Sequence, residues 1–331
     1  MKKIINDSEK FVDEVISAIL LAHPDQLKAS STDQRAIIRS DAPGARVGIV
    51  TGGGSGHLPV FLGYVGKGLC SGVAVGNVFS SPSSEQIFNA SVGSHGGKGI
   101  LYLFGNYGGD VLNFELAADL CDLEGIETRT VLVTDDVMSA PRERSESRRG
   151  VAGMVFAFKC AGAAAERGDT LEEVFEVAKK VVANTRSAGV GLSPTILPTA
   201  GRPTFELPEG QMEIGIGIHG EPGIHRGEIE SADAITARLL MPILEDLDAE
   251  RGDRFAILVN GLGATPLEEL YLLYGKAHQI VTDLGMEFSV KYIGEYATSL
   301  EMSGASITLM KLDDELEELL NMPAQSPFFR S

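Results

Sequence analysis

Apolar positions along the chain recur with two periods. Phe11, Val12, Val15, Ile16, Ile19 and Leu20 follow helical spacing after the capping candidates Asp7 and Ser8, and Pro24 stops the pattern, which predicts a docking helix. Short β-branched runs come next, each leading into a turn residue: Val47–Val50 before Gly52, Val73–Val75 before Gly76, Ile100–Phe104 before Gly105 and Val131–Thr134 before Asp135. Between and after them the spacing predicts helices over 111–123, following Asp110, over 149–167, dense in Ala and Gly, and over 171–185. The pattern breaks at Ser187-Ala188-Gly189. Strands are then expected over 213–218, 255–259, 286–293 and 305–312, with helices over 232–247 and 267–284 and a polar loop over 204–210. Strands that feed glycine turns and then helices define an α/β fold. We expect two domains, 1–185 and 186–331, each a central mostly parallel or mixed β-sheet flanked by helices.

Composition agrees with two cores. The chain has 331 residues, 44% hydrophobic, with 39 glycines, enough for two globular units rich in tight turns. Acidic residues outnumber basic ones 46 to 28, giving a formal charge of −18 that repels nucleic acid and anionic membrane surfaces. Cys70, Cys121 and Cys160 lie far apart without metal-ligand spacing and read as reduced core residues. The N-terminal segment lacks the apolar stretch of a signal peptide, and no run approaches about 18 apolar residues, so a cytoplasmic location is expected.

Candidate chemistry collects at strand ends, where α/β folds present ligands. Glu213–Gly223 alternates apolar residues with glycines and then delivers His219 into a turn, which orients an imidazole as nucleophile, acid, base or ligand. Thr51–Pro59 carries four glycines, whose backbone amides can approach a small polar ligand, and then His57. Its spacing matches neither a dinucleotide fingerprint nor a P-loop, and His57 stands where a nucleophile elbow needs Gly. Gly105–Asp110 puts a carboxylate at a helix start, where capping alone would explain Asp110. The loop over 76–82 offers hydroxyls, Ser81 among them. Asp135 and Asp136 are open to either a metal or a capping role. Lys98, Arg148 and Arg149 can attract phosphate or form surface ion pairs equally well. His23, His95, His225 and His278 take no assigned role.

Three motifs in order, Gly52-Gly53-Gly54-Ser55-Gly56-His57 with the following Gly63–Gly68, Asn106–Phe114, and Gly217–Gly223, resemble the substrate-binding K subunit of dihydroxyacetone kinase. Further matching stretches at 161–168, 260–266 and Thr298-Ser299-Leu300 extend the resemblance over nearly the whole chain. The resemblance implies a homodimer that holds a short ketose as a covalent hemiaminal on His219, with His57 and Asp110 moving protons. It also implies backbone contacts from Gly54, Ser55 and Gly56; Ser81 and Gly105 complete the substrate-binding set. No cofactor or metal is expected on this chain. ATP or ADP with Mg is expected on a separate nucleotide-binding L subunit, recharged by a phosphotransferase-system phosphocarrier or by free ATP. Two positions depart from the family pattern: Gly105 stands where a Lys is common, and Leu58 follows His57 in place of Glu. Loss of the Lys is expected to open volume and to suit a larger ketose such as erythrulose. A ketose-sensing transcriptional coactivator is the rival reading, disfavoured by the retention of His57 and Asp110.

Overall fold

The structure is a computed structural model that describes residues 2–30 and 33–331. Helix α1 (Phe11–Ala22) leads into strands β1 (Leu27–Ser30) and β2 (Asp33–Arg39), followed by β3 (Gly48–Ser55), β4 (Gly72–Val78), α2 (Ser84–Ser94), β5 (Ile100–Gly105), α3 (Gly108–Leu123) and β6 (Thr128–Val133). These six strands form one sheet in the order β1-β2-β4-β3-β5-β6. The β4-β3-β5-β6 portion is parallel, whereas β1 and β2 add antiparallel pairs at one edge. Strands β3, β4 and β5 are mostly buried because helices cover both faces, whereas β6 at the edge exposes Arg129 and Thr130.

Helices α4 (Met154–Arg167) and α5 (Leu171–Ala183) connect to the second sheet, built from β7 (Thr185–Ser193), β8 (Gln211–Ile214), β9 (His225–Glu228), β10 (Arg254–Gly261), β11 (Glu287–Gly294) and β12 (Ser303–Leu312). Its order is β11-β10-β12-β7-β8-β9, and only the β10-β11 pair is parallel. Helices α6 (Ala232–Asp246) and α7 (Leu267–Asp283) pack on it, and α8 (Asp314–Asn321) returns to α4. Residues Met154–Ala165 of α4 are all buried, because this helix shares a core with apolar residues of both sheets, among them Leu101, Leu103, Leu258 and Met310. Its run of Ala and Gly is what close packing on every side requires: a Cβ at Gly162 would lie 2.5 Å from the backbone of Gly68.

Several expected boundaries move. Segment 149–153 is not helical, since its backbone is held by Asp135, and Thr185 opens β7 instead of ending a helix. The apparent break at Ser187-Ala188-Gly189 is the middle of β7, whose small residues face close neighbours. Strand β8 stops at Ile214, because Gly215 takes φ +80° and turns the chain. The glycines at 52–54 lie inside β3, not in a loop after it. Strands β1, β2 and β9, which takes in His225, and helices α2 and α8 are too short or too polar to stand out in the sequence. Asp7 and Ser8 do not cap α1: Lys10 occupies that position without a side-chain bond.

Candidate functional site

Strand β3 ends in glycines because its surroundings leave no room for side chains. A Cβ on Gly54 would meet the amide nitrogen of Ser80 at 2.6 Å, and one on Gly53 the Phe61 ring at 2.3 Å. Gly56 adopts φ +100°, a conformation that favours glycine, and turns the chain so that His57 points inward. Ser55 gives its hydroxyl to the Gly76 carbonyl (3.0 Å), and its own carbonyl accepts from the Phe79 amide (3.0 Å).

His57 is almost fully buried. Its Nδ1 lies 2.8 Å from the carbonyl of Thr298; since a carbonyl only accepts, Nδ1 carries the proton and Nε2 a lone pair. That Nε2 is buried without a partner. Burial, and next the neighbouring His219, push the His57 pKa down to about 3, so the ring is neutral at physiological pH. It stacks on Phe79 with centroids 4.8 Å apart and meets the His219 ring edge-on at 4.9 Å. Phe79 reaches this position from a strained backbone at φ +56°. On its far side His57 helps wall an apolar cavity of about 420 Å³ between α1 and β3.

His219 sits on the turn after β8. Its backbone N–H donates to Glu221 Oε2 (3.0 Å) and its Nδ1 to Glu221 Oε1 (2.9 Å). Burial pushes the Glu221 carboxyl up, but the hydrogen bond and charge of His219 outweigh it and hold the pKa near 2. An ionised Glu221 keeps the proton on Nδ1 and leaves Nε2 of His219 as a nucleophilic lone pair. Arg149 lies 3.8 Å from Glu221, pairs with Asp136 at 2.8 Å and donates to the Gly215 carbonyl at 2.8 Å. Gly217 makes this possible, as a Cβ there would sit 2.0 Å from Glu221 Oε2. The Tyr107 ring closes the other side of His219 at 4.9 Å.

Asp110 lies in the first turn of α3, two residues past its start, and caps nothing: the cap position is Tyr107. One carboxylate oxygen is buried and unpartnered. Burial pushes its pKa up to about 6, against a hydrogen bond from Ser81 and the charge of His219. Asp110, Ser81, His57 and His219 therefore gather in one place. Gly105 ends β5 beside them, yet its missing side chain opens no volume: a Cβ would meet the Gly150 carbonyl and the Tyr107 ring at 3.1 Å.

The segment Thr298-Ser299-Leu300 joins the two halves. Thr298 fixes the His57 tautomer and bonds the Leu58 carbonyl at 2.8 Å, the Leu300 amide donates to Gly56 at 2.7 Å, and Ser299 donates to the Ile218 carbonyl at 2.5 Å, next to His219. In the sequence this segment stands out only as a short stretch matching the family, and Glu221 only as a member of a longer motif. The His-x-Glu spacing is the one signal there that a carboxylate orients the imidazole.

Asp135 and Asp136 hold the frame. Asp135 accepts from the amides of Val151 and Gly153 and from Ser187, and Asp136 from Met138 and Arg149. Among the described residues no cluster of three or more His, Cys, Asp or Glu is arranged to hold a metal. Arg148 and Arg149 are not surface ion pairs: Arg148 is buried against Asp246 at 2.6 Å, and Arg149 is held as above. Lys98 is exposed, and all three cysteines are free and buried. No helix of the described residues is long and apolar enough to cross a membrane.

Two mixed six-stranded sheets meeting at a glycine-walled site with two facing imidazoles define an α/β protein built to bind a small polar ligand. Residues 17–328 match the Dak1 domain, and the chain belongs to that family, the dihydroxyacetone-binding subunits of dihydroxyacetone kinases. It is 43% identical to "PTS-dependent dihydroxyacetone kinase 2, dihydroxyacetone-binding subunit DhaK" of Listeria innocua, over 100% of this chain and 99% of that one. It is 41% identical to the L-erythrulose kinase of Pectobacterium atrosepticum, over 100% of this chain and 56% of that longer protein. Among solved structures, the "dihydroxyacetone kinase operon co-activator Dha-DhaQ" superposes with a TM-score of 0.88 at 30% identity, covering 96% of this chain and 97% of that one.

Proposed function

We propose that this chain is the ketose-binding subunit of a dihydroxyacetone-type kinase and holds its substrate as a hemiaminal on His219. The observation that carries the reading is the pair of facing imidazoles, each held at Nδ1 by an oxygen: Glu221 leaves Nε2 of His219 free to attack, and Thr298 leaves Nε2 of His57 free to accept. The lone pair of His219 Nε2 adds to the ketone carbon while the C=O π pair moves to oxygen. That oxygen takes up a proton from solvent and becomes a hydroxyl, which donates to Nε2 of His57. The positive charge left on the His219 ring faces the Glu221 carboxylate. A three-carbon ketose offers little area to bury, so a covalent bond supplies the hold that contacts alone would not.

Backbone groups of Gly54, Ser55 and Gly56 and the hydroxyl of Ser81 orient the sugar, and the unpartnered oxygen of Asp110 accepts the terminal hydroxyl's proton as phosphate is transferred. Phosphate comes from ATP or ADP with Mg on a separate L subunit, recharged through a phosphotransferase-system phosphocarrier or by free ATP. The working unit is a cytoplasmic homodimer. The likeness to an erythrulose kinase supports a four-carbon ketose as an alternative substrate. The likeness to a co-activator supports a second reading, ketose sensing without turnover.

The test uses [2-¹³C]dihydroxyacetone: the ketone resonance gives way to a tetrahedral carbon on the wild-type protein and not on His219→Ala. A tetrahedral signal that persists in His219→Ala rejects the assignment. Turnover with the L subunit then separates kinase from sensor, and rates with dihydroxyacetone and erythrulose side by side identify the substrate.

A further inference from the structure

The apolar cavity behind His57 shares one wall with the candidate site, the segment 53–57, and nothing else. None of His219, Asp110, Ser81, Phe79 or Tyr107 lines it, so it is a compartment of its own. The stripe Phe11, Val15 and Ile19 of α1, at i, i+4 and i+8, faces into it, and Val60, Phe61 and Val75 close it from the side of the sheet. The three residues of the α1 stripe are only half-buried, where a filled core would bury them. A volume of about 420 Å³ suits a small molecule. Empty apolar volume costs stability in proportion to its size, and for one this large the cost reaches the scale of a whole domain's stability.

The wall between cavity and site is strained. Phe61 (φ +68°) and Leu300 (φ +50°) both line the cavity from the left-handed region of the backbone. Such conformations last only where their surroundings hold them. Phe61 is pressed against Gly53 and meets the His57 ring edge-on at 6.2 Å, but its cavity side has no such support. An occupant would supply the missing contacts and steady the residue that backs His57. The charged side chains of the lining are acidic: Glu301 is paired with Lys3, and Glu295 stays exposed at the rim. An apolar interior with a carboxylate at its mouth accepts an alkyl chain and repels an anionic head.

We infer that this cavity is a binding site for an apolar effector, a medium-length alkyl chain with a non-anionic head, which steadies Phe61 and His57 and so tightens ketose capture. The test titrates the full-length protein by calorimetry with decanol, decylamine and decanoate. The first two are expected to bind one to one, and decanoate about 10-fold more weakly or worse. Val15→Trp, which fills the cavity from α1 and touches no reacting group, should abolish decanol binding. Glu295→Lys, at an exposed position, should bring decanoate level with decanol. Circular dichroism checks both folds, and Glu295→Lys decides alone if Val15→Trp does not fold. Saturating decanol should lower the dihydroxyacetone concentration that gives half the tetrahedral ¹³C signal by about 5-fold, and dihydroxyacetone should tighten decanol by the same factor. No decanol binding, or binding kept in a folded Val15→Trp, overturns the site. Preference of the wild type for decanoate overturns the assigned head, and a ¹³C midpoint indifferent to bound decanol overturns the coupling. Absence of any tetrahedral signal in the wild type rejects the hemiaminal reading instead, while calorimetry still decides the site.

Discussion

At the residue scale, the chemistry turns on which ring nitrogen is bound and which is free. Glu221→Gln keeps the shape of the Nδ1 contact but replaces a charge-assisted bond with a neutral one, so the tetrahedral ¹³C signal should need about 10- to 100-fold more ketose, the equivalent of about 1.5–3 kcal/mol. An unchanged titration would reduce Glu221 to a loop brace. Asp110→Asn should retain the adduct and cut turnover by roughly 10²-fold or more. The same carboxyl sets a pH dependence. Burial raises its folded pKa to about 6, so the base form appears only above that value, and turnover should rise with pH through about 6 and lose that limb in Asp110→Asn. The raised pKa also means that ionising Asp110 costs the folded state stability as pH climbs from its unfolded value near 3.8 toward 6. His219, His57 and Asp110 were legible because each follows a strand-end glycine motif. The roles of Thr298 and Arg149 were not, because they depend on contacts between segments far apart in the chain, 57 with 298 and 149 with 215, while Glu221 left only its spacing from His219 as a signal.

At the element scale, the long amphipathic or strongly β-branched pieces were readable and the exceptions had tertiary causes. Strand β7 reads as a break because its Ser, Ala and Gly are small enough to fit among Asp135, Thr308 and Ile216. Segment 149–153 reads as helix from its composition, but Asp135 takes the amides of Val151 and Gly153. Helix α4 contains a device that composition alone would not suggest: buried Lys159 donates to the carbonyls of Leu319 and Met322 and so satisfies the C-terminal end of α8. Lys159→Met would fill the same space and leave those acceptors without a donor. We expect it to cost about 1–3 kcal/mol in urea denaturation, and a midpoint equal to wild type would mean that other donors reach the same carbonyls.

At the scale of the whole molecule, the division near residue 186 stands as our proposal for where one sheet's share of the chain gives way to the other's. Each share has a buried cluster of its own, but they are joined by a common core in which α4 is buried with residues of both. Thermal unfolding should therefore be a single transition, and a fragment of residues 1–185 should fail to fold alone, having lost the surface that covers α4. Two resolved transitions by calorimetry would contradict this.

The segment at 298–300 is the only place where the backbone of the His57 loop and that of the His219 loop are tied through one short strap, among the contacts described. It lets the scaffold uncouple one ability from another. On the proposed reading, His219 brings its own carboxylate on the same turn, so the hold on a carbonyl would travel as one cassette, while His57 and Asp110 belong to the other sheet. On that reading a lineage could let the half with His57 and Asp110 decay and still inherit the carbonyl trap, or retune the sugar's far end without touching it. Enzyme and sensor would then be a few substitutions apart on one scaffold.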